Sequence, residues 1–247
     1  MRSTTRHQLK TDEFRATTVE TLSWAAENQS TLITAAVVVA VILAVVIGGY
    51  SYVSYRNQQA RGMLGAAIDK YNAPIRPEGQ PAAPGELSYG SAAERAKAAN
   101  AEFTEIANKY SFTESGRIAR YFEGITLRNM GNTAAAEKEL SEVASGWDKN
   151  MAGLAKLALA SLYADSNQTA KAIDTYKDLI DHPSKSVGKW TPQFELAELY
   201  TANNQPQDAR KLYEQLQKES PTTPIGQAAT QKLQALGPAP AAQPTQQ

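Results

Sequence analysis

The chain has 247 residues, 25 basic and 25 acidic side chains, 42% hydrophobic residues, two histidines and no cysteine. Without cysteine there is no disulfide framework, Cys-ligated zinc, iron–sulfur cluster or thiol nucleophile, and His7 and His182 leave little for metal sites or Ser-His-Asp catalysis. Zero net charge argues against nucleic acid as the main partner, which a basic patch would mark, and an enzyme is the least expected class.

Residues 1–30 hold four basic and four acidic side chains and read as a short soluble segment. From Thr31 to Val53 come 23 residues without a charge. As a helix, residues 31–53 would cover about 34 Å at ~1.5 Å per residue, enough for a hydrocarbon core of about 30 Å. Trp24 precedes the stretch and Tyr50, Tyr52 and Tyr55 lie at its far end, as interfacial aromatics do. A cleaved signal peptide fits less well, because the run starts late and is long for an h-region. No small-x-small cleavage site stands out after Tyr50. The expectation is a retained single-pass anchor.

Flanking charge does not settle its orientation. Arg56, Arg61 and Lys70 follow the span closely, whereas Arg15 is the only cation between Asp12 and Ser30. Counted close to the span, this mildly favours the far side as cytoplasmic. Within the span, Ala36, Ala40, Ala44 and Gly48 recur every fourth residue. Such a stripe lets a second membrane helix pack closely, although a Val/Ala-rich span also produces one by chance.

Residues 54–91 read as a membrane-proximal helix to residue 72 and then a loop. Pro74, Pro77, Pro81 and Pro84 with Gly79, Gly85 and Gly90 forbid a regular helix there. From residue 92 to 236 the pattern is helical and repeats. A motif Ala-x-x-x-aromatic or Leu occurs at Ala99/Phe103, Ala136/Leu140, Ala172/Tyr176 and Ala209/Tyr213, in steps of 37, 36 and 37. Its companion, small-x-x-Leu or Tyr, occurs at Gly124/Leu127, Ala160/Tyr163 and Ala197/Tyr200. A large apolar residue follows the first motif each time, at Ile106, Val143, Leu179 and Leu216.

These are the positions of a tetratricopeptide-type repeat, where small residues let paired helices touch and large ones fill the next interface. Three full copies and a half copy are in phase. The half copy at Ala99 lacks an adjacent first helix, and the 54–72 helix is the candidate to supply it. Gly131-Asn132, Ser166-Asn167 and Asn203-Asn204 are the expected turns inside the repeats. Pro183 and Pro221 close the second and third repeats, and Thr191-Pro192 reads as a helix start with Thr as N-cap. Residues 224–236 form an expected capping helix with Ile225, Ala229, Leu233 and Leu236 on one face. The tail 237–247 is expected to be disordered. The predicted fold class is therefore all-α: one N-terminal transmembrane helix followed by a tetratricopeptide-type α-solenoid.

Constellations for chemistry are scarce. Asp181, His182 and Ser184 are near neighbours in an inter-repeat loop and cannot converge as a triad does. Asp174, Asp178 and Asp181 recur at helical spacing, but Lys171 and Lys177 are interleaved, which reads as a solvated face. There is no Gly-rich phosphate loop or metal-ligand His motif, so no cofactor, metal or small-molecule substrate is expected. Asn28-Gln-Ser30 and Asn167-Gln-Thr169 match glycosylation sequons of a kind common by chance.

What remains is a binding surface. In a tetratricopeptide stack the first helix of each hairpin lines the concave groove, which here would carry Tyr121, Ile125, Arg128, Leu157, Ser161, Phe194 and Glu198. That mixture suits an apolar peptide segment or a partner helix, and lacks the Lys/Asn cluster that clamps a peptide carboxylate. The alternative is a groove filled by a helix of the same chain, with 54–72 the candidate.

The segment DEFRATTVETLSWAAENQS, with Trp24 and Asn28, the span, and the Tyr52/Arg56/Ala60 stretch to Tyr71 resemble the YfgM-like family. Members of that family are ancillary subunits of the bacterial SecYEG translocon, with one anchor and periplasmic tetratricopeptide-like repeats. The resemblance covers roughly a quarter of the chain. Beyond Ala92 only the repeat pattern matches, and the proline loop is longer than the family pattern. It implies a cytoplasmic N-terminus, a periplasmic repeat domain at the bacterial inner membrane, and protein partners: the Sec translocon, periplasmic chaperones or their clients. The expected function is a non-catalytic interaction protein that helps translocated proteins. An envelope scaffold organising a cell-wall or secretion complex is the alternative.

Overall fold

Helical periodicity governs most of the described residues. The computed structural model describes residues 24, 26–77, 79–81 and 83–237, and nine α-helices follow one another among them. Most of the expected soluble segment at 1–30 and the tail beyond Gly237 lie outside the described residues. The chain divides into two compact units, Met1–Tyr55 and Arg56–Gln247.

Helix α1 (Gln29–Asn72) is unbroken over 44 residues, running from the expected span into the expected membrane-proximal helix. At ~1.5 Å per residue it is about 66 Å long. An 18-residue window reaches a mean hydropathy of 2.9 with none of it buried, unlike a soluble core helix. It is long and apolar enough to cross a membrane. Ala36, Ala40, Ala44 and Gly48 are all exposed, and a Cβ added at Gly48 would meet nothing within 4 Å.

In the second unit the repeats form antiparallel helical hairpins. Helices α2 (Ala92–Lys109), α3 (Glu114–Asn129), α4 (Thr133–Ala144) and α5 (Lys149–Asp165) lead to α6 (Thr169–Asp181). Helices α7 (Trp190–Ala202), α8 (Pro206–Glu219) and α9 (Pro224–Ala235) complete the stack. Each helix packs on its chain neighbour from α2 onward, and α3 also touches α5 while α7 touches α9. The hairpins α3–α4, α5–α6 and α7–α8 coincide with the three full repeats.

The motif residues account for this packing. Ala99, Phe103, Ala136, Leu140, Ala172, Tyr176, Ala209 and Tyr213 are all buried. At Gly124 a Cβ would lie 2.6 Å from Leu140 Cγ, so glycine is what lets α3 and α4 meet at that level. The half copy also has its first helix. Ala60, Leu64 and Ala67 of α1 share a core with Ala99, Phe103 and Ile106 of α2.

The proline loop between them is pinned at its two ends. Arg76 donates from its backbone N–H to Tyr89 at 2.8 Å, and Tyr89 donates to Pro74 at 3.0 Å. Arg76 also reaches the Ser88 carbonyl at 2.7 Å through its guanidinium.

Local chemistry sets the element ends. Gly131, Asn167 and Asn204 adopt φ of 77°, 58° and 56°. They thus supply the left-handed residue that ends a helix inside each repeat. Thr113 and Thr223 cap α3 and α9 by accepting from Gly116 and Gly226. The expected start at Thr191 is corrected. Helix α7 begins at Trp190 with Lys189 as N-cap and no side-chain cap bond, so Thr191 and Pro192 lie within its first turn. Pro192 is tolerated there because first-turn amides have no helical acceptor, and its ring is fully buried.

Candidate interaction groove

The predicted groove residues fall at equivalent repeat positions. Tyr121, Leu157 and Phe194 are one set, and Ile125, Ser161 and Glu198 are another. Helices α3 and α5 bring the first members together. Tyr121, Ile125, Arg128, Leu157 and Ser161 line one concavity of about 240 Å³ with Leu154, Ala158, Tyr176 and Glu195. No α1 residue lines it; the 54–72 stretch is occupied against α2 instead.

The other two predicted residues lie elsewhere. The Phe194 ring packs edge-on against Tyr213 with centroids 5.6 Å apart. Glu198 accepts from the Tyr213 hydroxyl and pairs with Lys232 at 2.7 Å. The reason is architectural. Helix α9, which carries Lys232, stands where the first helix of a fourth repeat would stand, and Phe194 belongs to the core it shares with α7 and α8.

The polar members are held in place. Arg128 donates to Ser161 Oγ at 2.9 Å and pairs with Asp165 at 2.5 Å, tying α3 to α5. Tyr176 is buried on α6, and its hydroxyl pKa is pushed up to about 12 by burial and then by Glu195 and Asp165. Burial also raises Tyr121, followed by the neighbouring Tyr71, against a smaller opposing pull from Arg128. Glu195 on α7 is exposed; loss of water on the side of its carboxyl that faces the protein, and then Glu198, hold it above the usual glutamate range.

Sequence reasoning did not reach Tyr176 or Glu195 as groove residues. Tyr176 was legible only as the large residue of a packing motif. Glu195 immediately follows Phe194, and nothing in the spacing says that α9 would take Phe194 for the core. A ladder of ion pairs also went unread. Arg120 reaches Glu142 at 2.8 Å between α3 and α4, and Lys156 reaches Asp178 at 2.5 Å between α5 and α6. The cation stands four residues before the small residue of the companion motif in both cases.

A larger concavity of about 670 Å³ lies between the start of α5 and the α6–α7 loop, lined by Lys149, Lys156, His182, Ser184 and Lys185 among others. It holds no triad. His182 Nδ1 lies 3.1 Å from Asp178, Ser184 Oγ accepts from the Val187 amide, and Asp181 is exposed. Among the described residues, no three or more His, Cys, Asp or Glu side chains are placed to hold a metal ion.

No curated protein and no solved structure matches the chain. A family model described as a tetratricopeptide repeat-like domain matches residues 23–238, so the repeats, the groove and the whole apolar helix fall within one family pattern. The protein belongs to the tetratricopeptide repeat-like domain family.

Proposed function

We propose that this chain is a membrane-anchored, non-catalytic interaction protein that presents the α3–α5 groove to another polypeptide. The observation that carries the reading is the gathering of Tyr121, Ile125, Leu157 and Arg128 around a concavity left unfilled by the described residues. Half-buried aromatic and aliphatic side chains with a few fixed polar groups are what a peptide or partner helix needs for orientation. The apolar part of α1 tethers the repeats to a bilayer. The stripe Ala36, Ala40, Ala44 and Gly48 is its face for another membrane helix.

The proposed setting is the bacterial inner membrane, with residues 1–30 cytoplasmic and 54–247 periplasmic, beside the Sec translocon and periplasmic chaperones. Its support is the resemblance of the stretch from Asp12 to Tyr71 to the YfgM-like family. Affinity purification of the intact protein from mild detergent tests it. Recovery of translocon subunits supports the proposal, and recovery of a different envelope assembly replaces it with the scaffold reading. Protease added to spheroplasts should remove the repeat domain, whereas full protection would reverse the orientation.

A further inference from the structure

The concavity between α3, α5 and α7 is not electrically balanced. Arg128 is engaged by Asp165 at 2.5 Å, and Glu198 by Lys232 at 2.7 Å. Glu195, on the groove wall, has no ion pair among the described residues. Around it stand Ile125, Leu154 and Leu157, with the Tyr176 hydroxyl close enough to feel its charge. Glu195 is exposed at this wall, so its charge is open to a partner's cation, which can pair with it without displacing an internal partner.

We infer that the groove takes a polypeptide segment carrying one arginine or lysine flanked by apolar side chains. The cation pairs with Glu195. Its aliphatic stem and the apolar neighbours lie against Leu157 and Ile125, as long basic side chains do on apolar surface. An acidic segment is disfavoured, because it would meet Glu195 while Arg128, the cation lining the concavity, is already engaged by Asp165. This assignment rests on the groove being the partner-binding surface.

Two short labelled peptides test it, identical except for a central arginine or its neutral isostere citrulline between leucines. Each is titrated by fluorescence anisotropy against the full chain in nanodiscs, with empty nanodiscs as the blank. The arginine peptide should bind about tenfold more tightly, the scale of a modest interfacial charge pair. Glu195→Gln should bring the two peptides close to parity, and Ile125→Asp should weaken both. Helical circular dichroism checks that each variant is folded. Equal binding of the peptides to the wild type, with loss in Ile125→Asp, overturns the cation assignment and keeps the groove. An arginine preference that survives Glu195→Gln also overturns the assignment. Binding untouched by Ile125→Asp, or absent altogether, overturns the groove reading and this assignment together.

Discussion

Lys156 on α5 and Asp178 on α6 form an ion pair of 2.5 Å, and each stands 36 residues beyond its counterpart in the Arg120–Glu142 pair. The repeat therefore carries a polar rung beside its apolar motif. The two rungs differ in burial, and that decides their worth. Arg120 is 15% exposed and also meets Glu139, itself 11% exposed. Lys156 and Asp178 are 37% and 40% exposed. Arg120→Met should cost about 1–3 kcal/mol, because the buried Glu139 would keep only the exposed Lys138 as its ionic partner. Lys156→Met should cost less than about 1 kcal/mol. Urea titrations of the two variants measure the contrast.

Two carboxylates should give opposite pH signatures. The Lys156 hydrogen bond, then its charge, holds Asp178 below the usual aspartate range. Its contribution is present at neutral pH and is lost as pH falls through the folded-state value. Glu123 is buried and pushed upward by that burial, against an opposing hydrogen bond from Thr104. A raised carboxyl binds protons more tightly when folded, so it lowers stability as pH rises above the unfolded value. Glu123→Gln keeps an acceptor for Thr104, 2.8 Å away. It should raise the thermal midpoint at pH 7, with the gain vanishing below about pH 4 as Glu123 protonates in both states. A midpoint change independent of pH would contradict this account.

The turns before α3 and α9 share a feature that single substitutions expose. A Cβ at Gly116 or Gly226 would lie 1.9 Å from the carbonyl oxygen of Tyr110 or Ser220. Both obstacles are backbone and cannot swing aside. Gly116→Ala and Gly226→Ala should each destabilise by about 1–3 kcal/mol or more. Gly62→Ala, with nothing within 4 Å, should be near neutral or stabilising. Thermal melts of the three variants decide it.

Much of the fold was legible because the repeat writes its packing into residue size. Ala99, Ala136, Ala172 and Ala209 are fully buried, and the turn residues Gly131, Asn167 and Asn204 take the left-handed conformation those residue types favour. The shared concavity was legible where a repeat follows a repeat, at Tyr121, Ile125, Leu157 and Ser161. It was not legible at Phe194 and Glu198, because equivalence along the sequence does not reveal that α9 covers the third position. The start of α7 was missed for a local reason. A proline in the first turn fixes its own φ but leaves open which residue begins the helix.

The anchor carries its own prediction. Ala40→Leu with Ala44→Leu keeps the span apolar while filling the small-residue face, so insertion should survive and recovery of membrane partners should fall. Val39→Leu with Val45→Leu, off that face, is the control. Equal recovery from both double variants would assign recognition to the repeats alone.

The central claim is that the α3–α5 face receives another polypeptide. A photo-crosslinking residue placed at Leu157 in the intact protein, irradiated in living cells, tests it most directly. The account predicts adducts to another chain at Leu157 that disappear when Tyr121→Asp is added, and none from Lys138, 75% exposed on α4. Adducts confined to the chain itself, or equal adducts from Leu157 and Lys138, would contradict it.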